Sequence, residues 1–475
     1  MAVEESRMEK VLRSASRLCW ATALFGVRQL KCALSPGEAG RAADSFDSVT
    51  RAAQGQLGEL LGRAFRAGDQ LQRGPWEIVR DALTPDAFTS RGMMRMAFNT
   101  MQQSAGALGQ LAPEGEGRAA LREFRSKLQV FDLFENVDAA LRLPRGAVLP
   151  LGELVGRTSG LDPFLAVWAT EGIGYYYAET AWGSKGVPRG LLKGAGERGV
   201  PAKSMAALHA GMGLSFANRA LAAVGRRCQK CPPHSDLQSA LRRFVELCDD
   251  NSGEGYVGAA YEALGLVARN LYPHLVPPID RQLSEAGDSL ADYFWHGVGR
   301  AIYFAPTNYV PLASTSRRVV EMTQQEPPHE LGRRNALSGA AWALVLVNLR
   351  APEVIENCLK QCSGVAFESD AFANGVSSAA VVWRDSTEGG QHLDALCRHQ
   401  PGPSRPGLAE SWHALVKAPC RRALDEYYGA LKRHDCVGEV FRYQPLPALV
   451  EKLTGATTGS AASRRRGAGG HAGGL

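Results

Sequence analysis

Residues Tyr293–Ala305 read YFWHGVGRAIYFA, with Gly297 and Gly299 set in an apolar, aromatic run at helical spacing. The same signature returns as EGIGYYYAETAW from Glu171, AGMGLSFANRAL from Ala210, VGAAYEALGLVA from Val257, SGAAWALVLVNL from Ser338 and NGVSSAAVVWRD from Asn374. The leading glycines are Gly172, Gly211, Gly258, Gly297, Gly339 and Gly375, so consecutive ones lie 39, 47, 39, 42 and 36 residues apart. A period near forty, held over six units, is the mark of paired-helix repeats. The expected fold is all-α, with six helical pairs closing into a toroid or curving as an open solenoid. An outer helix should follow each glycine-marked one, and Asp236–Leu247 with Asp236 at the N-cap is the clearest example.

A glycine inside a helix costs about 1 kcal/mol relative to alanine, so six such helices need a common reason. The residue four places on is often small as well, namely Ser215, Ala301, Ala343 and Ala379. Residues four apart share a helix face, so this stripe lets neighbouring backbones come close. A dinucleotide fingerprint is not expected, since no strand precedes the glycines and the third glycine is missing.

Beside the stripe runs a second column, made of the residue before each glycine and the residue four beyond it. It pairs Glu171 with Tyr175, Ala210 with Leu214, Val257 with Tyr261, His296 with Arg300, Ser338 with Trp342, and Asn374 with Ser378. Lining a ring, this column would give an apolar pocket a few orienting polar groups. Glu171 and His296 are the candidate acid and base, and Arg300 suits a carboxylate or phosphate. Tyr175, Tyr261, Trp342 and Asn374 are the further ligand-binding candidates. The alternative for all of them is a polar side chain satisfied within the fold or facing solvent, and that is the expectation for His209.

The totals suit a soluble globular chain: 475 residues, 45% hydrophobic, 21% charged and a formal charge of +6. Its one basic cluster, Arg464–Arg466, sits in a Gly/Ala-rich tail, so no nucleic-acid partner is expected. The acidic start MAVEESRMEK lacks the basic region of a signal peptide, which places the chain in the cytoplasm. The longest apolar run, Ala336–Leu349, falls short of the roughly 20 residues of a membrane span and reads as a core helix, as does Leu18–Leu30. Ten cysteines without a leader read as reduced thiols, with Cys358 and Cys362 on one buried helix face. Cys228, Cys231, His234 and Cys248 have the makings of a zinc site, but no second Cys-x-x-Cys follows, and no metal is assigned. The residues name no cofactor.

The expected divisions are an N-terminal helical region over 1–150, a repeat domain over 151–384, a C-terminal helical segment over 385–453 and a disordered tail over 454–475. Val49–Gln72 and Ala418–Arg433 read as helices, Asp385–Ser411 as loop-rich, and only Gln129–Phe134 and Val381–Trp383 carry strand patterning.

At these signatures the chain resembles a bacterial family of unknown function associated with enediyne biosynthesis gene clusters. EGIGYYYA, AGMGLSFA, HGVGRAIYF, SGAAWALVL and NGVSSAAVV are similar to its first, second, fourth, fifth and sixth signatures, and GELLGRAFRAGDQ from Gly58 to a segment before them. The resemblance spans roughly residues 50–400 and implies a place in specialised metabolism, without implying any catalytic residue. The family pattern leads one to expect an acid before the third glycine, where this chain has Val257. Two functions follow as expectations: an accessory or biosynthetic protein holding an apolar, polyene- or terpenoid-like molecule, or a non-catalytic scaffold for a partner protein. A metal-dependent terpene cyclase has no support, since Asp249-Asp250-Asn251 is not an Asp-rich metal motif. Whether the chain is an enzyme is left open by the residues alone.

Overall fold

The computed structural model of the protein describes residues 116–143, 149–227, 233–287, 289–305, 308, 315–362, 370–402 and 407–455. The expectations for 18–30, 49–72, Cys228, Cys231 and 456–475 lie outside these residues. The chain divides into two compact units, 1–128 with 309–313 and 129–308 with 314–475. Of the first unit, residues 116–128 are described, and they form the opening turns of helix α1 (Glu116–Glu135). All other described elements belong to the second unit.

Every described element is helical, and the described residues contain no strand. The principal helices of the second unit are α2 (Pro163–Lys185), α3 (Met205–Arg227), α4 (His234–Asn251), α5 (Val257–Leu271), α6 (Val276–Ala286) and α7 (Leu290–Tyr303). They are followed by α8 (Thr315–Gln325), α9 (Glu330–Val347), α10 (Pro352–Gln361), α11 (Ala371–Ser386), α12 (Gln391–Arg398) and a helical run over 408–433, α13. The two stretches with strand patterning both lie inside helices, 129–134 in α1 and 381–383 in α11. Val130 and Val381–Trp383 are buried by helix packing, and runs this short cannot distinguish a helix face from a strand.

Local signals set the helix limits. At α2, Asp162 accepts the Phe164 N–H at 3.0 Å and Pro163 occupies the first turn, where its missing N–H costs nothing. Helix α6 stops at Gly287, whose φ of 63° is the left-handed cap geometry. At α9 the His329 ring accepts the Gly332 N–H at 2.9 Å. Helix α4 begins before Asp236, which stands in its first turn rather than at the cap, still well placed against the helix dipole. The stretch expected to be loop-rich contains α12, and α13 starts at Leu408, ahead of the expected Ala418. A π turn, His413–Lys417, precedes Pro419, whose ring nitrogen has no hydrogen to donate back to Leu415. The last described helix covers 446–455, so Thr454 belongs to it and not to a tail.

The glycine-marked helices pack in chain order: α2 on α3, α3 on α5, α5 on α7, α7 on α9 and α9 on α11. Between them, α4 lies on α3 and α5, α6 on α5 and α7, and α8 on α7 and α9. The first connector departs from the expected pairing. Residues 186–204 carry short 3-10 turns and no α-helix. Helices α7 and α9 are buried almost all round, as a fully enclosed apolar helix must be. No described helix is long and apolar enough to cross a membrane.

The glycines account for the close approach. A Cβ on Gly211 would run into the carbonyl oxygen of Glu171, one on Gly297 into that of Glu262, one on Gly339 into that of His296, and one on Gly375 into that of Ser338. In the other direction Gly174 faces the carbonyl of Leu208, Gly213 that of Ala260, Gly265 that of Phe294 and Gly299 that of Ala336. Backbone meets backbone at each crossing, with no room for a methyl group.

Candidate functional site

This crossing pattern fixes which residues are equivalent. The residue whose carbonyl receives the next helix is Glu171 in α2, Glu262 in α5, His296 in α7 and Ser338 in α9. In α5 the crossing therefore reads Glu262-Ala263-Leu264-Gly265, parallel to Glu171-Gly172-Ile173-Gly174, and not Val257-Gly258. An acid does open this crossing: Glu262 stands five residues after Val257. Sequence reading missed it because Ala263 stands where the leading glycine was sought. Gly258 has another role, since a Cβ there would strike the carbonyl of Gly438 and the Tyr293 ring.

With that correction the column converges on one buried cluster. Glu262 accepts from His296 Nδ1 at 2.7 Å and from Arg300 Nη1 at 3.1 Å. Arg300 Nη2 donates to Glu171 Oε1 at 2.5 Å, linking α7 to α2. The Arg300 guanidinium lies 4.8 Å from the centre of the Trp342 ring, whose edge is turned to His296. Farther along, Ser338 donates to Asn374 Oδ1 at 3.1 Å, and Asn374 donates to the carbonyl of Gln444 at 2.6 Å. All of these side chains are buried, Glu262 and His296 completely.

The candidates are thus only partly brought together. Glu171, His296, Arg300 and Trp342 meet in one place, and Asn374 joins through Ser338 to the segment after α13. Tyr175 is half-buried, its ring against Phe134 at 5.9 Å. Tyr261 is off the column: its hydroxyl bonds Asp249 of α4 and its ring packs between Phe244 and Tyr293.

Two carboxylates and a guanidinium removed from water are expensive, and apolar residues of like volume often serve stability as well or better. Burial raises the pKa of Glu171 above the usual carboxylate range, with Arg300 pulling against it and Glu262 adding to it. Burial also works against the charge of Glu262, but Arg300 and His296 outweigh it and hold this carboxyl below the usual range. Arg300 keeps its charge against burial because both glutamates face it. The cluster therefore pairs an ionised Glu262 with Arg300 and leaves Glu171 the more readily protonated acid. With Glu262 ionised, the bond between them is donated by His296 Nδ1.

Three nitrogens of the cluster have no hydrogen-bond partner: His296 Nε2, Arg300 Nε and Trp342 Nε1. Buried polar atoms are normally bonded, so three bare ones within one cluster call for a reason. A protonatable carboxyl, a bare imidazole nitrogen and bare N–H donors can together hold an oxygen-bearing group.

His209 is the counterexample. It is also fully buried, but its Nδ1 donates to the Met205 carbonyl at 2.6 Å and its Nε2 accepts the Gly253 N–H at 2.9 Å. Burial lowers its pKa to about 4, against the bond to Met205, so the ring is neutral. Elsewhere, Cys358 and Cys362 are both buried with sulfurs 4.0 Å apart. An apolar cavity of about 10 Å³ lies beside Cys358, Tyr303, Leu337 and Phe372, with room for about one water, and shares no residue with the cluster. His234 sits near Gln282 at the start of α4, Cys248 is buried, and no metal-binding group of His, Cys, Asp or Glu occurs among the described residues.

Compared with family models, curated proteins and solved structures, the chain matches none. Its function must be argued from the cluster itself.

Proposed function

We propose that the six glycine-marked helices are successive repeats of a helical toroid whose centre is a small-molecule site. Its ligand is an apolar molecule carrying an oxygen function, and the chain serves as an accessory or biosynthetic protein of bacterial specialised metabolism. The observation that carries the reading is the buried Glu171–Arg300–Glu262–His296 constellation with its three unpartnered nitrogens. Such an arrangement is poorly explained as a stabilising device and well explained as a receptor for one polar group on an otherwise apolar ligand. The recurring crossings of α2, α3, α5, α7, α9 and α11 support the repeat. The pathway rests on the resemblance at the glycine signatures.

The site also suits proton transfer, with Glu171 as donor and His296 Nε2 as acceptor. The test is mass spectrometry of small molecules that co-purify with the wild-type chain and with a Glu171→Gln/His296→Gln variant. Both replacements keep the helices and most hydrogen-bonding capacity, which far-UV circular dichroism checks. A discrete compound held by the wild type and lost from the folded variant is the expected result. Equal retention, or none in either protein, would remove the site.

A further inference from the structure

Residues 436–445 follow α13 and lie across the opening turns of the inner helices. The Gly438 N–H bonds the Gly255 carbonyl at 2.6 Å, just ahead of α5. Glu439 accepts from Tyr293 of α7 at 3.1 Å, and Arg442 pairs with Asp292 of the same helix at 3.5 Å. The Tyr443 N–H bonds Asn335 of α9 at 2.6 Å, and the Gln444 carbonyl bonds Asn374 of α11 at 2.6 Å. Val437, Val440 and Phe441 are its buried apolar anchors. Phe441 reaches furthest toward the cluster, its ring 5.8 Å from that of Trp342.

Trp342 therefore touches Arg300 and His296 from one inner helix and Phe441 from this strap. Phe441 is the neighbour whose departure would uncover the indole without disturbing an inner helix. The strap is held by separate bonds to three helices and to the loop before α5, not by the interlocked backbones that join the glycine-marked helices to one another. Gly258 exists for it: the strap can lie down on α5 only because no Cβ stands between Gly258 and Gly438.

We propose that residues 436–445 are the gate of the central site and that Phe441 holds the seat of a planar, conjugated or aromatic part of the ligand. When the strap lifts, that part stacks on Trp342 in place of Phe441, and a neutral hydroxyl or carbonyl oxygen takes up the bare Trp342 N–H. Neutrality follows from the charges already present, since Arg300 is matched by Glu262 and a further anion would be buried without a partner. This inference rests on the ligand site of the proposed function.

The test uses the full chain and all-trans-retinol, a neutral polyene alcohol whose fluorescence rises on binding. In Gly258→Ala the new methyl group collides with the Gly438 carbonyl and with the Tyr293 ring that bonds the strap, and props the strap open without touching a residue of the cluster. Phe441→Ala vacates the seat without crowding the strap. Both variants should bind retinol about tenfold or more tightly than the wild type, because a closed gate weakens apparent affinity by the fraction of time it is open. Hydrogen exchange across 437–444 should quicken in Gly258→Ala while 210–222 of α3, which makes no bond to the strap, is unchanged, and adding Trp342→Ala should abolish the gain in retinol binding. Unchanged retinol affinity in both variants overturns the gate, and so does a gain that survives loss of Trp342. If the strap variants behave as wild type while the co-purifying compound is lost from Glu171→Gln/His296→Gln, the site stands and the gate alone falls.

Discussion

Two histidines, each completely buried in a glycine-marked helix, have opposite surroundings. Around His209 in α3 both ring nitrogens are engaged by backbone groups, Met205 on one side and Gly253 on the other. Around His296 in α7 one nitrogen is held by a carboxylate and the other faces no protein atom that can bond it. The first ring is a strut between a helix and the loop before α5. The second is oriented on one side and unbonded on the other, the arrangement that the proposed site would need. Burial alone does not separate the two cases; the partner count on each nitrogen does.

The contrast can be broken most forcefully at Arg300. Replacing it with methionine strands Glu171 and Glu262 in the interior without a counter-charge, and urea denaturation should show a loss of about 3–5 kcal/mol. His209→Ala should cost about 2–3 kcal/mol, since it leaves the Gly253 N–H buried and unbonded. It should also change the pH dependence. The folded chain refuses a proton until about pH 4, whereas an unfolded histidine accepts one near 6.5, so His209 makes stability fall as pH drops through that interval. That component should vanish in the alanine variant.

His296→Gln, in contrast, should cost only about 1 kcal/mol, because one of the two nitrogens had no bond to lose. Its main effect should be loss of ligand, measured by the same co-purification. A cost as large as that of His209→Ala would mean that His296 too is a strut. The smallest effect is expected at Glu171→Gln. A carboxyl with a raised pKa favours the folded state when protonated, so its contribution declines as pH rises from 4.5 through the folded value. The glutamine variant should be flatter over that range in thermal denaturation and close to wild type at its acid end.

The inner helices, and four members of the cluster, were legible because the glycine signature is local: each crossing is written in four consecutive residues. Glu262 was legible in principle, through the likeness of EALG to EGIG, but VGAA drew the register five residues too early. That VGAA glycine answers a residue 180 positions away, Gly438, and no local pattern announces a contact of that range. The strap was invisible for the same reason. The runs at 129–134 and 381–383 misled because each is too short for its period to separate helix from strand. Tyr261 was assigned to the column with the misplaced register, and falls away with it.

The crossing contacts carry one more consequence. At four of them the neighbouring helix rests on the carbonyl oxygen of a residue whose side chain belongs to the buried polar column: Glu171, Glu262, His296 and Ser338. The main chain bears the mechanical load, so the side chain is released from any part in the fit. Two acids, an imidazole and a hydroxyl occupy equivalent places without altering how the helices meet. An architecture of this kind behaves like a tool-holder with a fixed shank. The chemistry at its centre can be exchanged one residue at a time while the frame around it stays the same.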